Sequence, residues 1–117
     1  MKQLLIDTLK QIGFVEGKTL FLQGTLNPDK AYPKTFVTFW TNTDDNAHFD
    51  NEAYSVDWSF SVVLYSNSAA IVNTKPNEIR AALKAAGFIP QGKGQDIPSD
   101  EKTHTGWQMD FVYTEIL

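Results

Sequence analysis

The chain of 117 residues carries ten lysines and arginines against fourteen acidic residues, a formal net charge of −4. Its length predicts a single domain spanning residues 1–117, and 42% hydrophobic with 21% charged residues is typical of a folded globular protein. The negative net charge argues against specific nucleic-acid binding. Because cysteine is absent, disulfides, thiolate nucleophiles and zinc–thiolate sites are excluded.

The sequence gives no sign of a membrane segment. No apolar stretch approaches the roughly 20 residues that a membrane-spanning helix needs. The segment Met1–Asp7 contains a cation and an acid, so we expect no secretory signal there. The sequence therefore predicts a protein without a membrane partner, which is cytosolic or belongs to a particle assembled inside the cell.

The first predicted element is a helix from Lys2 to Ile12. Its apolar residues have the spacing of one helical face: Leu4, Leu5, Leu9 and Ile12. Gly13 follows, as glycine commonly does at a helix end, and Phe14 stands where such an end favours an apolar contact.

A second helix is predicted before Gly87. The residues of its apolar face are Ile79, Ala82, Leu83 and Ala86. Thr74 is the expected N-cap with Pro76 in the first turn, and Ser68–Val72 is expected to form at most a separate turn, since a proline breaks a continuous helix. The similar endings of the two helices leave open a duplicated helix–strand unit, although common cap chemistry is the favoured explanation.

Four strands are predicted from residue type and alternation. The clearest is Tyr54–Leu64, in which every even-numbered residue is apolar and the odd-numbered ones are mostly serine or aspartate. The segment Trp107–Tyr113 repeats this pattern. Thr35–Thr41 is β-branched and aromatic throughout, as in a central strand covered on both faces, and Thr19–Leu22 is a short strand.

The predicted order is α-β-β-β-α-β, an α+β fold with one mostly antiparallel sheet and two helices packed on one face. Three segments are predicted as loops: Gly24–Pro33, Asn42–Asn51 and Pro90–Thr105. Because Pro90–Thr105 is the longest, we expect it to become ordered only against a partner.

Two histidines and an acidic cluster are the candidate metal ligands. His48 and His104 lie near carboxylates, but their spacing matches no zinc or iron site, and we expect two solvated loop histidines. The acidic residues Asp44, Asp45, Asp50 and Glu52 lack the glycine and the ordered ligand spacing of an EF-hand. We therefore predict no metal site, and expect these four acids to form an acidic hairpin tip.

No catalytic or cofactor motif emerges from the remaining residues. Gly92-Lys93-Gly94 is followed by Gln95-Asp96-Ile97-Pro98 rather than by the serine or threonine and helix of a phosphate-binding loop. A Gly-x-Ser-x-Gly nucleophile elbow is also missing. The sequence therefore predicts a protein without a cofactor or an enzymatic function.

The second face of the predicted sheet is a candidate protein interface. The aromatic residues most simply form a core beneath the helices: Phe36, Trp40, Trp58, Phe60, Trp107, Phe111 and Tyr113. Two helices cover only one face, so apolar residues on the other would mark an interface. We place Val63, Tyr65 and Val112 there, and add Lys93 and Asp96 from the Pro90–Thr105 loop.

Several segments resemble small tail-component proteins of long-tailed phages and prophages of Gram-positive bacteria. They are Tyr32-Pro33-Lys34-Thr35-Phe36-Val37-Thr38-Phe39, Trp58-Ser59-Phe60, Tyr65-Ser66-Asn67, Leu83-Lys84-Ala85-Ala86-Gly87-Phe88-Ile89, Gly92-Lys93-Gly94-Gln95-Asp96, Ser99-Asp100-Glu101 and Thr103-His104-Thr105-Gly106. The resemblance covers most of the chain, roughly Met1 to Tyr113. The element order is similar to that of tail terminator, or tail completion, proteins.

This resemblance implies a structural role in the virion tail. Such a subunit forms a ring, expected to be a hexamer, which caps the tail tube, joins it to the head connector and carries no catalytic residue. In that ring, the acidic residues Asp44, Asp45, Asp50 and Glu52 are expected to face the channel. The alternative is a non-enzymatic protein-binding module that uses the open sheet face.

Overall fold

The computed structural model describes residues 2–22, 34–49, 52–98 and 104–116. Its elements are, in order, α1 (Lys2–Gln11), β1 (Leu20–Leu22), β2 (Thr35–Phe49), β3 (Glu52–Ser66), α2 (Ala69–Ala85), β4 (Ile89–Pro90), β5 (Gln95–Pro98) and β6 (Thr105–Ile116). The α+β class is confirmed, and the short strands β4 and β5 are additions to the predicted order. The predicted Gly24–Pro33 loop lies outside the described residues.

The strands form one mostly antiparallel sheet in the order β1-β2-β3-β6, with β4 and β5 both paired to β6. Strand β1 is parallel to β2, whereas β2, β3 and β6 are antiparallel neighbours. In this register Val62 of β3 lies between Phe39 of β2 and Met109 of β6. The three long strands therefore place their apolar positions side by side on one face.

Both helices pack on that one face, as the sequence predicts. The buried cluster beneath them consists of Leu5, Leu9, Phe14, Leu20, Val37, Phe39, Phe60, Val62, Leu64, Ile79, Leu83, Phe88, Met109 and Phe111. Phe60, Val62 and Leu64 point inward, so the alternation of β3 is confirmed over this part of the strand. Burial of these apolar side chains is the main stabilising contribution to the fold.

The two helices end in the same way. The Phe14 N–H donates to the Leu9 carbonyl oxygen at 3.2 Å, and the Phe88 N–H donates to that of Leu83 at 2.9 Å. Gly13 and Gly87 adopt φ values of 108° and 105°, which a residue with a side chain rarely adopts. Both helices therefore end in the Schellman arrangement, and each buries a phenylalanine directly after its glycine.

Helix α2 is longer than predicted. It runs without a break from Ala69 to Ala85, with Pro76 in its interior and Ser68 at its N-cap position. The prediction of a break before Pro76 is wrong, because Pro76 and Val72 are both buried against the rest of the molecule. Tertiary packing offsets the hydrogen bond that the proline cannot donate.

The predicted polar loop Asn42–Asn51 is also wrong over most of its length. Strand β2 continues to Phe49 and β3 begins at Glu52, with a register shift between Asp45 and His48. Backbone hydrogen bonds between strands form whatever the polarity of the side chains. The polar residues of β2 therefore continue its antiparallel pairing with β3.

The predicted irregular segment Pro90–Thr105 contains strand β5. Its residues Gln95–Pro98 pair with β6, and the Trp107 indole Nε1 donates to the Lys93 carbonyl oxygen at 3.0 Å. The expectation that this segment needs a partner to become ordered is therefore wrong for Gln95–Pro98. Proline at both ends of the segment is tolerated because β4 and β5 lie at an edge of the sheet.

The hairpin of β2 and β3 is longer than the helical layer. Each strand has fifteen residues, which corresponds to about 50 Å, whereas the seventeen residues of α2 span about 25 Å. The molecule accordingly measures 52 Å along its longest axis and 28 and 24 Å along the others. We refer to the hairpin from Asn42 to Asp57 as the arm.

Candidate functional site

The sheet face opposite the helices, here called the second face, has an aromatic cluster at one end. The Phe36 ring stacks on Tyr65 with centroids 5.2 Å apart, and it meets Phe21 edge-on at 6.2 Å. The His104 ring lies 5.8 Å from Phe36 and is only 8% exposed. The prediction of a solvated loop histidine is therefore wrong for His104, whose ring packs in this cluster. The side chain of His48 lies outside the described residues.

The predicted apolar interface residues of the second face differ in exposure. Val63 lies on this face as predicted, but its side chain is fully buried, so the expectation that it contributes to an exposed docking surface is wrong. Tyr65 is half-buried against Phe36. Val112 is half-buried beside Ile89, its partner on β4. Only Tyr65 and Val112 of the three offer accessible surface.

A row of polar contacts crosses the second face between β3 and β6. The Ser61 hydroxyl donates to Asp110 Oδ1 at 2.7 Å, and the Gln108 amide reaches the same oxygen at 3.4 Å. Further along, the Thr114 hydroxyl donates to Asp57 Oδ1 at 2.6 Å. These hydrogen bonds fix two carboxylates on a solvent-accessible part of the sheet.

Charge is segregated between the two layers of the fold. Strands β2, β3 and β6 contain six acidic residues and no lysine or arginine: Asp44, Asp45, Glu52, Asp57, Asp110 and Glu115. Helices α1 and α2 contain five basic and two acidic residues, a net charge of +3. The sheet layer and the helical layer therefore have opposite charges.

The predicted channel residues belong to the arm. Asp44 and Asp45 lie on β2 and Glu52 on β3, whereas Asp50 lies outside the described residues. In the strand register Asp44 is directly opposite Asp57, so two acidic positions face each other across the hairpin. Like charges at directly opposed positions reduce the stability of a hairpin.

Among the residues that the structure describes, two large apolar side chains are exposed, and both lie at the sides of the fold. Val15 is 48% exposed and Ile89 is 57% exposed, each directly after the buried phenylalanine that follows a helix. Val15 precedes β1 at one edge of the sheet, and Ile89 belongs to β4 at the other. The two edges thus present different surfaces that each include one exposed apolar residue.

One surface groove lies between the end of α1 and the middle of α2. It has a volume of about 500 Å³, and its apolar lining includes Ile12, Phe14 and Ile71. The Lys75 ammonium lies 3.0 Å from Glu78 Oε2, 3.4 Å from the Ile12 carbonyl oxygen and 5.4 Å from the centre of the Phe14 ring. Lys75 therefore connects the two helices across this groove.

A second groove of about 230 Å³ lies between α2 and β6. Arg80, Lys93 and Trp107 line it together with Asn73 and Asn77. The Arg80 Nε is buried and has no hydrogen-bond partner among residues 2–22, 34–49, 52–98 and 104–116. We refer to this groove as the Arg80 pocket.

Of the predicted residues Lys93 and Asp96, the structure places only Lys93 in the lining of this pocket. Lys93 lines it, and Asp96 is exposed on β5 opposite Trp107. Arg80 was not indicated by any motif; its one distinguishing feature in the sequence is that it is the only arginine of the chain. A lone arginine on a helix is too common to signal a site without the pocket around it.

Within the part of the chain that the structure describes, no three histidine, cysteine or acidic residues converge as metal ligands. Neither of the helices among these residues has both the length and the apolar character needed to cross a membrane.

In comparisons with known proteins, no family model matches the chain, and no curated protein matches it significantly.

Proposed function

We propose that this protein is a structural subunit of a phage tail, of the terminator type that caps the tail tube and joins it to the head. The observation that carries the proposal is the one-sided fold with its arm: helices cover one sheet face, and the β2–β3 hairpin is about twice as long as α2, the longer helix. The segments of the sequence that resemble tail-component proteins support the same role.

A ring subunit must contact its neighbours through two different surfaces, because a heterologous contact repeated by rotation closes a ring. The two sheet edges meet this requirement, since one has Val15 beside it and the other has Ile89 on it. The proposed assembly is a hexamer with the tail tube and the head connector as further partners, and it requires no cofactor and no catalysis.

The arm is proposed to point into the channel of the ring. Asp44, Asp45, Asp50 and Glu52 would surround passing DNA with negative charge, and repulsion between like charges would keep the DNA from binding. The protein would accordingly be found in the virion tail after assembly in the bacterial host.

The test is tube capping. The tail tube protein of the same genome is polymerised with and without this protein, and tube lengths and ends are examined by electron microscopy. We expect shorter tubes, each closed at one end by a ring. The variant Ile89→Asp should fail to form that ring, whereas Lys2→Asp, which changes an exposed helix residue, should retain it.

Tubes of unchanged length, with no density at their ends, would contradict the terminator role. Binding of the monomer along the sides of tubes, or to an unrelated protein through the second face, would instead support the binding-module alternative.

A further inference from the structure

We propose that the Arg80 pocket of one copy binds the carboxylate of Asp110 on the second face of another copy. This contact deepens the proposed function, on which it rests: it would join neighbouring subunits of the ring in addition to the contacts proposed for the sheet edges. The proposal depends on two features of the described part of the chain: an arginine that forms no ion pair there, and a carboxylate with one oxygen that accepts no hydrogen bond there.

The first feature is Arg80. Its Nε is buried without an acceptor, and it forms no ion pair with any residue of the described ranges. Arg80 lines the pocket, and a carboxylate supplied from outside would give its guanidinium the ionic partner that the described residues do not provide. Lys93 adds a second positive charge and the Asn73 and Asn77 amides add donors at the same groove.

The size of the pocket favours a side chain as its occupant. Its volume of about 230 Å³ is below the range of about 300–1,000 Å³ that is typical of pockets for small-molecule ligands. One carboxylate side chain fits in this space, and arginine binds carboxylates through two parallel hydrogen bonds.

The second feature is Asp110. Its side chain is exposed, and the hydrogen bonds from Ser61 and Gln108 both end on Oδ1. Oδ2 therefore accepts no hydrogen bond from the described part of the chain and is available to an incoming donor. Because the two existing bonds hold the carboxylate in place, little side-chain freedom is lost when a guanidinium binds.

Charge complementarity identifies a second copy as the partner. The helices carry a net charge of +3, whereas β3 and β6 contain no lysine or arginine and hold the carboxylates of Asp57 and Asp110 on the second face. The helical side of one copy is therefore attracted to the second face of the next. Since the two surfaces differ, the contact is heterologous and can be repeated around a ring.

The experiment is sedimentation velocity of the full chain over a range of concentrations, at low and at high ionic strength. We expect concentration-dependent association that is weakened by salt. Arg80→Glu and Asp110→Lys should each weaken it by about tenfold or more. An equimolar mixture of these two variants should restore association, because it re-creates one contact with the charges exchanged.

The matched control is Lys84→Glu, which makes the same charge change on an exposed residue four positions along the same helix. It should leave association within about twofold of the unmodified chain. Circular dichroism confirms that each variant is folded. Equal effects of Arg80→Glu and Lys84→Glu, a mixture that stays dissociated, or a chain that is monomeric at every concentration would each overturn the contact.

The two proposals fail separately. If Arg80→Glu caps tubes as well as the unmodified chain, the contact is wrong and the terminator role stands. If the chain associates through Arg80 and Asp110 but caps no tube, the contact stands and the role is wrong.

Discussion

Gly94 lies directly against the indole ring of Trp107, so closely that any side chain at position 94 would collide with the Trp107 Nε1 atom. A Cβ at this position would also lie 2.6 Å from the Gln108 carbonyl oxygen, and Gly94 has a φ of 102°. Because Trp107 lines the Arg80 pocket, this close approach helps to define one wall of that pocket.

Replacing Gly94 by alanine should therefore destabilise the fold by about 2–4 kcal/mol, through backbone strain and the collision with β6. The control is Gly92→Ala, at a φ of 80° with open space around the added methyl group. It should cost only about 1 kcal/mol. Urea denaturation followed by circular dichroism measures both, and equal losses would show that the contact with Trp107 has no energetic effect.

Val63→Ala should reduce the free energy of unfolding by about 2 kcal/mol, because Val63 is fully buried and its loss leaves a cavity. Ile89→Ala removes more apolar atoms but should cost less than about 0.5 kcal/mol, since Ile89 is 57% exposed. Thermal unfolding of the two variants compares them directly. A smaller loss for Val63→Ala than for Ile89→Ala would be inconsistent with burial of Val63.

Ser66 is fully buried and connects the end of β3 to the start of β2 and to the N-cap of α2. Its hydroxyl lies 2.9 Å from that of Thr35 and accepts a hydrogen bond from the Ser68 N–H at 3.1 Å. Ser66→Ala leaves both groups without this partner, and we expect a loss of about 1–3 kcal/mol in stability. Ser61→Ala, at a half-exposed position of the same strand, should cost less than about 1 kcal/mol in the same denaturation experiment.

Lys75→Met retains the aliphatic part of the side chain and removes the contacts of the ammonium with the end of α1 and with the Phe14 ring. We expect a loss of about 1 kcal/mol, smaller at high salt. Glu78→Gln removes only the exposed ion pair and should cost less than about 0.5 kcal/mol. A loss for Glu78→Gln as large as that for Lys75→Met would mean that the ion pair, rather than the link between the helices, stabilises this region.

Neutralising the four predicted channel acids (Asp44, Asp45, Asp50 and Glu52) as their amides should leave ring formation intact and reduce DNA ejection from assembled particles. Particle counts by electron microscopy report assembly, and release of the genome on receptor addition reports ejection. Unchanged ejection from fully assembled particles would contradict a channel position for the arm.

The sequence predicts the elements in which apolar residues recur at the period of a buried face, and the helix ends that are marked by a glycine. The alternation at Phe60, Val62 and Leu64 identified the inward face of β3, and Gly13 and Gly87 identified both helix ends. These signals are local, because a buried face requires apolar side chains at a fixed period and a Schellman ending requires a residue that tolerates a positive φ.

The parts that were not predicted depend on distant partners. Strand β5 exists because the edge of β6 offers its backbone groups, and nothing within Gln95–Pro98 indicates a strand. Burial of Pro76 against the rest of the fold explains why α2 does not break there. The Arg80 pocket combines residues from α2, β6 and the turn at Lys93, so no spacing in the sequence reveals it.

The two short strands on β6 have a consequence for aggregation. Between β4 and β5 the chain leaves the backbone of β6 over Gly92–Gly94, and each strand includes a proline, Pro90 or Pro98. This edge of the sheet therefore does not offer an extended peptide a continuous series of backbone donors and acceptors. Amyloid-like growth by strand addition is discouraged on this side, which lets a concentrated preparation associate through side chains without forming fibrils.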